Sequence, residues 1–440
     1  MWNIIYLNTH DLGRAIEPYG YPVPTPNLMR LAREGTLFRK AFSAAPTCSP
    51  SRSALLTGMA AHSAGMTGLA HRGFSLTEEG RNAHLARYLR DNGYLTALAG
   101  IQHEVAGKQV ESIGYQRVLG PPPGPGPDRD VEIARSAAEF IRAHDGKQPF
   151  FLALGLFNTH REFPELDGSV DPDYLMPFFP AYDSPRARED MARFILSAKV
   201  VDRCVGIVLD AVEAAGLADK TIVLFTTDHG VAFPHCKCTL YDTGIGVATI
   251  LRFPGNSMAG KATDALVSQL DLYPTLCDLV GIAKPGWLQG RSLVPLLMGE
   301  TDRVRDAVFA EVSYHAAYEP LRCVRTDRYK LIRVYDNGHD GIVAANIDDS
   351  PTKSFMVEAG LLAEERPREM LFDLHLDPVE RVNRIGDGRY QGVYEDLSRR
   401  LDAWMAETGD PLLPDGRVPK PEGAVVNLVT ALSPRERPVG

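Results

Sequence analysis

Four short apolar runs in this chain each end in a polar cluster containing histidine, and that repeated pattern limits the fold more than any other feature. They are Asn3–Leu7, ending at Asn8-Thr-His-Asp11; Tyr94–Ala99, ending at Gly100-Ile-Gln-His103; Pro149–Phe157, ending at Asn158-Thr-His160; and Thr221–Thr227, ending at Asp228-His229-Gly230. Runs of this length and composition predict buried strands. Helical patterns at Thr25–Gly35, Asn82–Asn92, Asp130–Asp145 and Asp190–Ala215 separate them, and strand–helix alternation predicts an α/β fold with a large sheet flanked by helices. Ligands of such sheets gather beyond the carboxyl ends of the strands, so the four clusters should converge.

A second stretch, Ala45-Pro-Thr-Cys-Ser-Pro-Ser-Arg-Ser-Ala-Leu-Leu-Thr-Gly58, follows the strand Thr36–Phe42. Ser49 reads as an N-cap, Pro50 as the first helical residue and Gly58 as a stop. Free backbone N–H groups, the positive end of the helix dipole and the Arg52 guanidinium would then face whatever Cys48 touches, which suits an anion.

Cys48-x-Pro50-x-Arg52 followed by Leu55-x-Thr57-Gly58 resembles the type I sulfatase signature, whose cysteine is oxidised to Cα-formylglycine. The polar clusters and the later Leu371-Phe-Asp-Leu-His-Leu-Asp-Pro378 resemble the sulfatase branch of the alkaline phosphatase superfamily. The run His62-Ser-Ala-Gly-Met-Thr-Gly-Leu69 is similar to heparan N-sulfatase (sulfoglucosamine sulfohydrolase)-like members. The resemblance implies an alkaline-phosphatase-like large mixed sheet and a smaller domain of antiparallel sheet plus helix. It implies a metal shell of His10, Asp11, Cys48, Asp228 and His229, with Arg52 holding the nucleophile. His103 and His160 would bind sulfate and transfer protons, and Lys237 would bind sulfate.

Two departures from the family pattern stand out. Ile101 occupies the place of a sulfate-binding lysine, and His10 that of an aspartate. Imidazole donors shift the expected ion from calcium toward manganese, with calcium the alternative. The reaction expected is metal-dependent hydrolysis of a sulfate ester or N-sulfate of a sugar or aryl substrate. A phosphonate monoester or phosphodiester hydrolase is the alternative, and a non-catalytic sulfate-ester binding protein a further one. A hydrated formylglycine explains the cysteine: one hydroxyl attacks sulfur while the other, deprotonated, expels sulfate and restores the aldehyde.

The pattern changes near Arg303, where strands follow one another without helices until Tyr394–Thr408. This predicts a catalytic domain over residues 1–306, a small α+β domain over 307–412, and an extended tail over 413–440. The formal net charge of -9 argues against a nucleic-acid groove, and no apolar run approaches the roughly 20 residues of a membrane span. The start Met-Trp-Asn-Ile-Ile lacks a basic n-region, so a cytoplasmic chain is expected, or a periplasmic or secreted one if a signal was removed. The six cysteines show no paired framework and are expected to be reduced. Expected partners are a small sulfated substrate, a formylglycine-generating enzyme and, in a homodimer, a second copy.

Overall fold

The computed structural model describes residues 1–178, 180–412 and 416–439; residues 413–415 and 440 of the expected tail lie outside them. One sheet contains β1 (Asn3–Thr9), β2 (Thr36–Phe42), β3 (Leu95–Gly100), β4 (Arg117–Leu119), β5 (Phe150–Leu156), β6 (Thr221–Thr227), β7 (Thr249–Arg252) and β8 (Lys261–Ser268). A second contains β9 (Val308–Tyr314), β10 (Tyr318–Arg325), β11 (Tyr329–Val334) and β12 (Glu369–Asp373).

Every residue of β1, β5 and β6 is buried, as strands covered on both faces must be. They form the centre of the order β4-β3-β5-β1-β6-β7-β2-β8. β1 pairs in parallel with β5 and β6, β5 with β3, and β2 with β8. β7 runs against both its neighbours, β6 and β2. It follows β6 after a loop that carries Asp228, His229 and Lys237, where a parallel connection would have needed a crossover. The chain is therefore an α/β protein with a large mixed sheet and a separate antiparallel sheet. On one face of the large sheet lie helices Pro127–Arg142 and Pro185–Ala214, packed through Ile133, Ile141, Phe194, Val201 and Val208.

The smaller sheet alternates its side chains between two layers, as a strand period of two requires. Cys323 and Ile332 pack with Phe42, Ile245 and Leu266 of the large domain. Val324, Leu331 and Leu371 share a core with Leu397, Leu401 and Met405 of helix Gln391–Thr408. Lys330, fully buried in the smaller sheet, reaches the large domain by an ion pair to Asp242 at 2.6 Å and also pairs with Glu380 of its own domain at 2.7 Å. From residue 416 onward the chain runs back over both domains: Val425 N–H donates to Arg72 O, and Asn427 N–H to Ala316 O.

Two local expectations are corrected. The helix expected over Asn82–Asn92 is two helices, Glu78–Ala83 and Leu85–Asp91, because His84 leaves the helical conformation and caps the second through its ring nitrogen. Ser49 is not an N-cap. Helix Cys48–Thr57 starts two residues earlier with Thr47 at the cap position, and Ser49 Oγ instead accepts from Ala70 N. Gly58 does end that helix, in the left-handed conformation. Among the described residues no helix is long and apolar enough to cross a membrane, and all six cysteines are free and buried.

Candidate active site

Asp228, just past β6, organises the site. Its Oδ1 accepts the backbone N–H groups of Asp11 and His229, both at 2.9 Å. Its Oδ2 lies 3.1 Å from His10 Nδ1 and 3.3 Å from Arg52 Nε. Burial alone would raise this carboxyl, yet His229, His10 and Arg52 hold it well below the usual range, so it is ionised. Asp11 adopts φ 45°, a left-handed conformation uncommon outside glycine.

Helix Cys48–Thr57 is locked to that centre. Ser51 Oγ donates to the Asp228 carbonyl at 2.5 Å, and Gln269 bridges Ser51 to Thr227 O. Cys48, at the first helical position and 3% exposed, has Sγ 3.4 Å from His229 Nε2. The Nδ1–H of His229 donates to Gly230 O at 3.0 Å, which fixes the tautomer and leaves the Nε2 lone pair facing Asp11 Oδ1 at 3.3 Å. Donor atoms of His10, Asp11, Cys48 and Asp228 all lie within 4.8 Å of one another. Asp11 Oδ1 and both ring nitrogens of His10 are buried without a hydrogen-bond partner, so this pocket fits a divalent ion. Burial and the nearby Arg52 push the His10 imidazole down to about 4, keeping it neutral. Burial also raises the Cys48 thiol well above its ordinary value.

Cys48 forms the floor of a cleft of about 240 Å³ also lined by His103, His160, Lys237, His315, Asp348 and Arg435. The His103 ring centroid lies 4.6 Å from that of His10, and the His160 centroid 5.3 Å. Burial, helped by His10 and Arg52, lowers His103 well below its usual value. His160 Nδ1 donates to Arg161 O at 2.5 Å, leaving Nε2 for the cleft. Lys237 Nζ contacts Asp11 Oδ2 at 2.9 Å and Asp348 Oδ2 at 3.0 Å; burial works against its charge, but those two carboxylates raise it well above the ordinary lysine range. All nine residues singled out in the sequence, His10, Asp11, Cys48, Arg52, His103, His160, Asp228, His229 and Lys237, thus meet at one cleft and directly behind it.

Their surroundings carry several residues that no spacing in the sequence pointed to. Asp348 and His315 come from the smaller domain, and Arg435 from the returning C-terminal segment, pinned by Arg72 Nη2 on Pro434 O at 3.0 Å. Arg161 anchors the loop of His160: its guanidinium grips Asp190 at 2.6 and 2.8 Å and lies over Phe163 and Phe233. Next to Ile101, which stands in the place of the missing lysine, Gln102 Oε1 accepts from Glu104 N and Val105 N. His62 lies outside the cleft lining, between Glu311 and Thr408.

Residues 3–282 match the family model described as Sulfatase, and residues 230–352 match that described as N-sulphoglucosamine sulphohydrolase, C-terminal. Human N-sulphoglucosamine sulphohydrolase is 29% identical, the match covering 90% of this chain and 88% of that protein. Human arylsulfatase A is 30% identical over 87% of this chain and 83% of its own length. A solved structure of a protein in complex with its substrate D-glucosamine-2-N,6-O-disulfate superposes with a TM-score of 0.72, at 19% identity and covering 93% and 98% of the two chains. The chain belongs to the sulfatase family, the sulfuric ester hydrolases.

Proposed function

We propose that the chain is a metal-dependent sulfatase acting on a sulfate ester or N-sulfate of a sugar or aryl compound, with formylglycine made from Cys48 as its nucleophile. The observation that carries this reading is the position of Cys48: first residue of a buried helix, on the floor of the cleft, with His103, His160 and Lys237 around it and carboxylate and imidazole donors behind it.

A formylglycine hydrate would supply the attacking hydroxyl, and a divalent ion held by His10, Asp11, Asp228, His229 and residue 48 would supply positive charge at the sulfate oxygens. Arg52 holds Asp228 in place through its Nε. Lys237, kept charged by Asp11 and Asp348, meets the oxygens on which charge grows in the transition state. His160, when protonated, gives its Nε2 proton to the leaving oxygen or nitrogen, its Nδ1–H being spent on Arg161 O. His103, kept neutral by burial, takes the proton whose loss lets sulfate depart. The relatives named as an N-sulphoglucosamine sulphohydrolase and an arylsulfatase support both N-sulfate and aryl sulfate as compounds to try.

The test is intact-peptide mass spectrometry on residue 48 combined with sulfate release from glucosamine N-sulfate and an aryl sulfate. Formylglycine at position 48 with release from either compound is expected; formylglycine with release from neither would overturn the reading. His10, with nitrogen where the family pattern has oxygen, favours a second reading as a phosphonate monoester or phosphodiester hydrolase. Parallel turnover of an aryl phosphonate separates the two.

A further inference from the structure

His10 belongs to two donor sets at once. In one it joins Asp11, Cys48 and Asp228; in the other, with all donors again within 4.8 Å of one another, it joins Cys48 and His103. The first set is rich in oxygen, with Lys237 on Asp11 Oδ2 and Arg52 on Asp228 Oδ2 while Asp11 Oδ1 stays open to an ion. The second is two imidazoles and a sulfur. His10 is fully buried, its Nδ1 3.1 Å from Asp228 Oδ2 and its Nε2 without a hydrogen-bond partner, and His103 and Cys48 both reach the cleft, from which water could complete a fourth position. Sulfur and imidazole select zinc, cobalt or copper(I) over calcium and manganese.

We infer that the unconverted chain, with cysteine at position 48, holds a soft divalent cation such as zinc between His10, Cys48 and His103. On binding, the Cys48 S–H bond breaks, its proton passes to bulk water and a sulfur–metal bond forms, with no change of oxidation state. Oxidation of Cys48 to formylglycine removes the sulfur donor, so this site exists only before maturation.

The experiment uses the full chain produced without a formylglycine-generating enzyme, with cysteine at position 48 confirmed by peptide mass, and cobalt(II) as the probe. A thiolate-to-cobalt charge-transfer band that zinc displaces is expected, and it should vanish in Cys48→Ser. Loss of a partner one bond removed from a metal costs about 10–100-fold in affinity, so His103→Ala, which removes a donor itself, should weaken cobalt binding by roughly 100-fold or more. X-ray absorption of the zinc form should show one sulfur at about 2.3 Å alongside imidazole nitrogens. A band that survives Cys48→Ser, a sulfur-free zinc shell, or unchanged affinity in His103→Ala would each overturn the inference. Sulfate release is read on the converted protein, so failure here leaves the sulfatase reading standing.

Discussion

Lys237 Nζ stands 2.9 Å from Asp11 Oδ2, so the lysine assigned to sulfate also touches a carboxylate assigned to the metal. The two roles can be separated. Removing the cation strips the sulfate oxygens of a charged donor but leaves Asp11 with more uncompensated negative charge to offer an ion. Lys237→Ala should therefore lower kcat/KM by roughly 10²-fold or more while the purified protein keeps its metal. Steady-state kinetics and elemental analysis of the same sample check both halves, and loss of metal in parallel with activity would place Lys237 with the metal ligands instead.

The donor chemistry of the pocket sets the second prediction. Calcium prefers six to eight oxygens, whereas manganese accepts imidazole beside carboxylate. With His10 Nδ1 3.1 Å from Asp228 Oδ2 and His229 Nε2 3.3 Å from Asp11 Oδ1, converted protein stripped by a chelator should bind manganese more tightly than calcium. His10→Asp should move the preference back toward calcium. Metal content after equilibration with both ions reads the outcome directly, and a calcium preference unaffected by His10→Asp would show that the position 10 imidazole does not ligate.

Arg161 provides a test of how the cleft is held in shape. Its bidentate contact with Asp190 is buried, and Asp190 also accepts from Thr352. Taking away the guanidinium leaves that carboxylate charged and buried without its cation, which costs about 3–5 kcal/mol in comparable cases. Arg161→Ala should lower the unfolding midpoint in denaturant accordingly, and should reduce kcat because the loop of His160 loses its anchor. Full stability with reduced kcat would instead mean that the arginine touches substrate.

Much of this architecture can be read from the sequence because the central strands are apolar on both faces and each stops at a polar cluster. Strand ends are where an α/β sheet puts its ligands, so four clusters and one capped cysteine helix point to a single cleft. The residues that were not legible share a physical reason. Asp348, His315 and Arg435 reach the cleft from loops and a returning terminal segment, where no period links a residue to a face. Arg161 is one residue past His160, but its partner Asp190 and the rings of Phe163 and Phe233 meet it only after folding. The break at His84 was hidden because Asn82–Asn92 keeps a helical pattern, while the cap that divides it depends on an imidazole acting as an acceptor.

That imidazole yields the last prediction, concerning stability against pH. His84 is fully buried, and its Nδ1 accepts from Ala86 N at 3.2 Å, which only a neutral ring can do. Burial pushes it down to about 3. In the unfolded chain an exposed histidine protonates near ~6.5. Between these values the unfolded state binds a proton that the folded state refuses, so the slope of unfolding free energy with pH is positive. The stability from His84 is thus fully present above pH ~6.5 and is lost as pH falls toward 3, by roughly 4–5 kcal/mol across the whole window. Asparagine is a good N-cap and does not titrate, so His84→Asn should keep helix Leu85–Asp91 while flattening the decline. Denaturant unfolding at a series of pH values from 7 down to the acid limit of the fold, on both proteins, measures the difference. Parallel curves would mean that His84 takes up its proton in the folded state too, and that its nitrogen is not held as an acceptor.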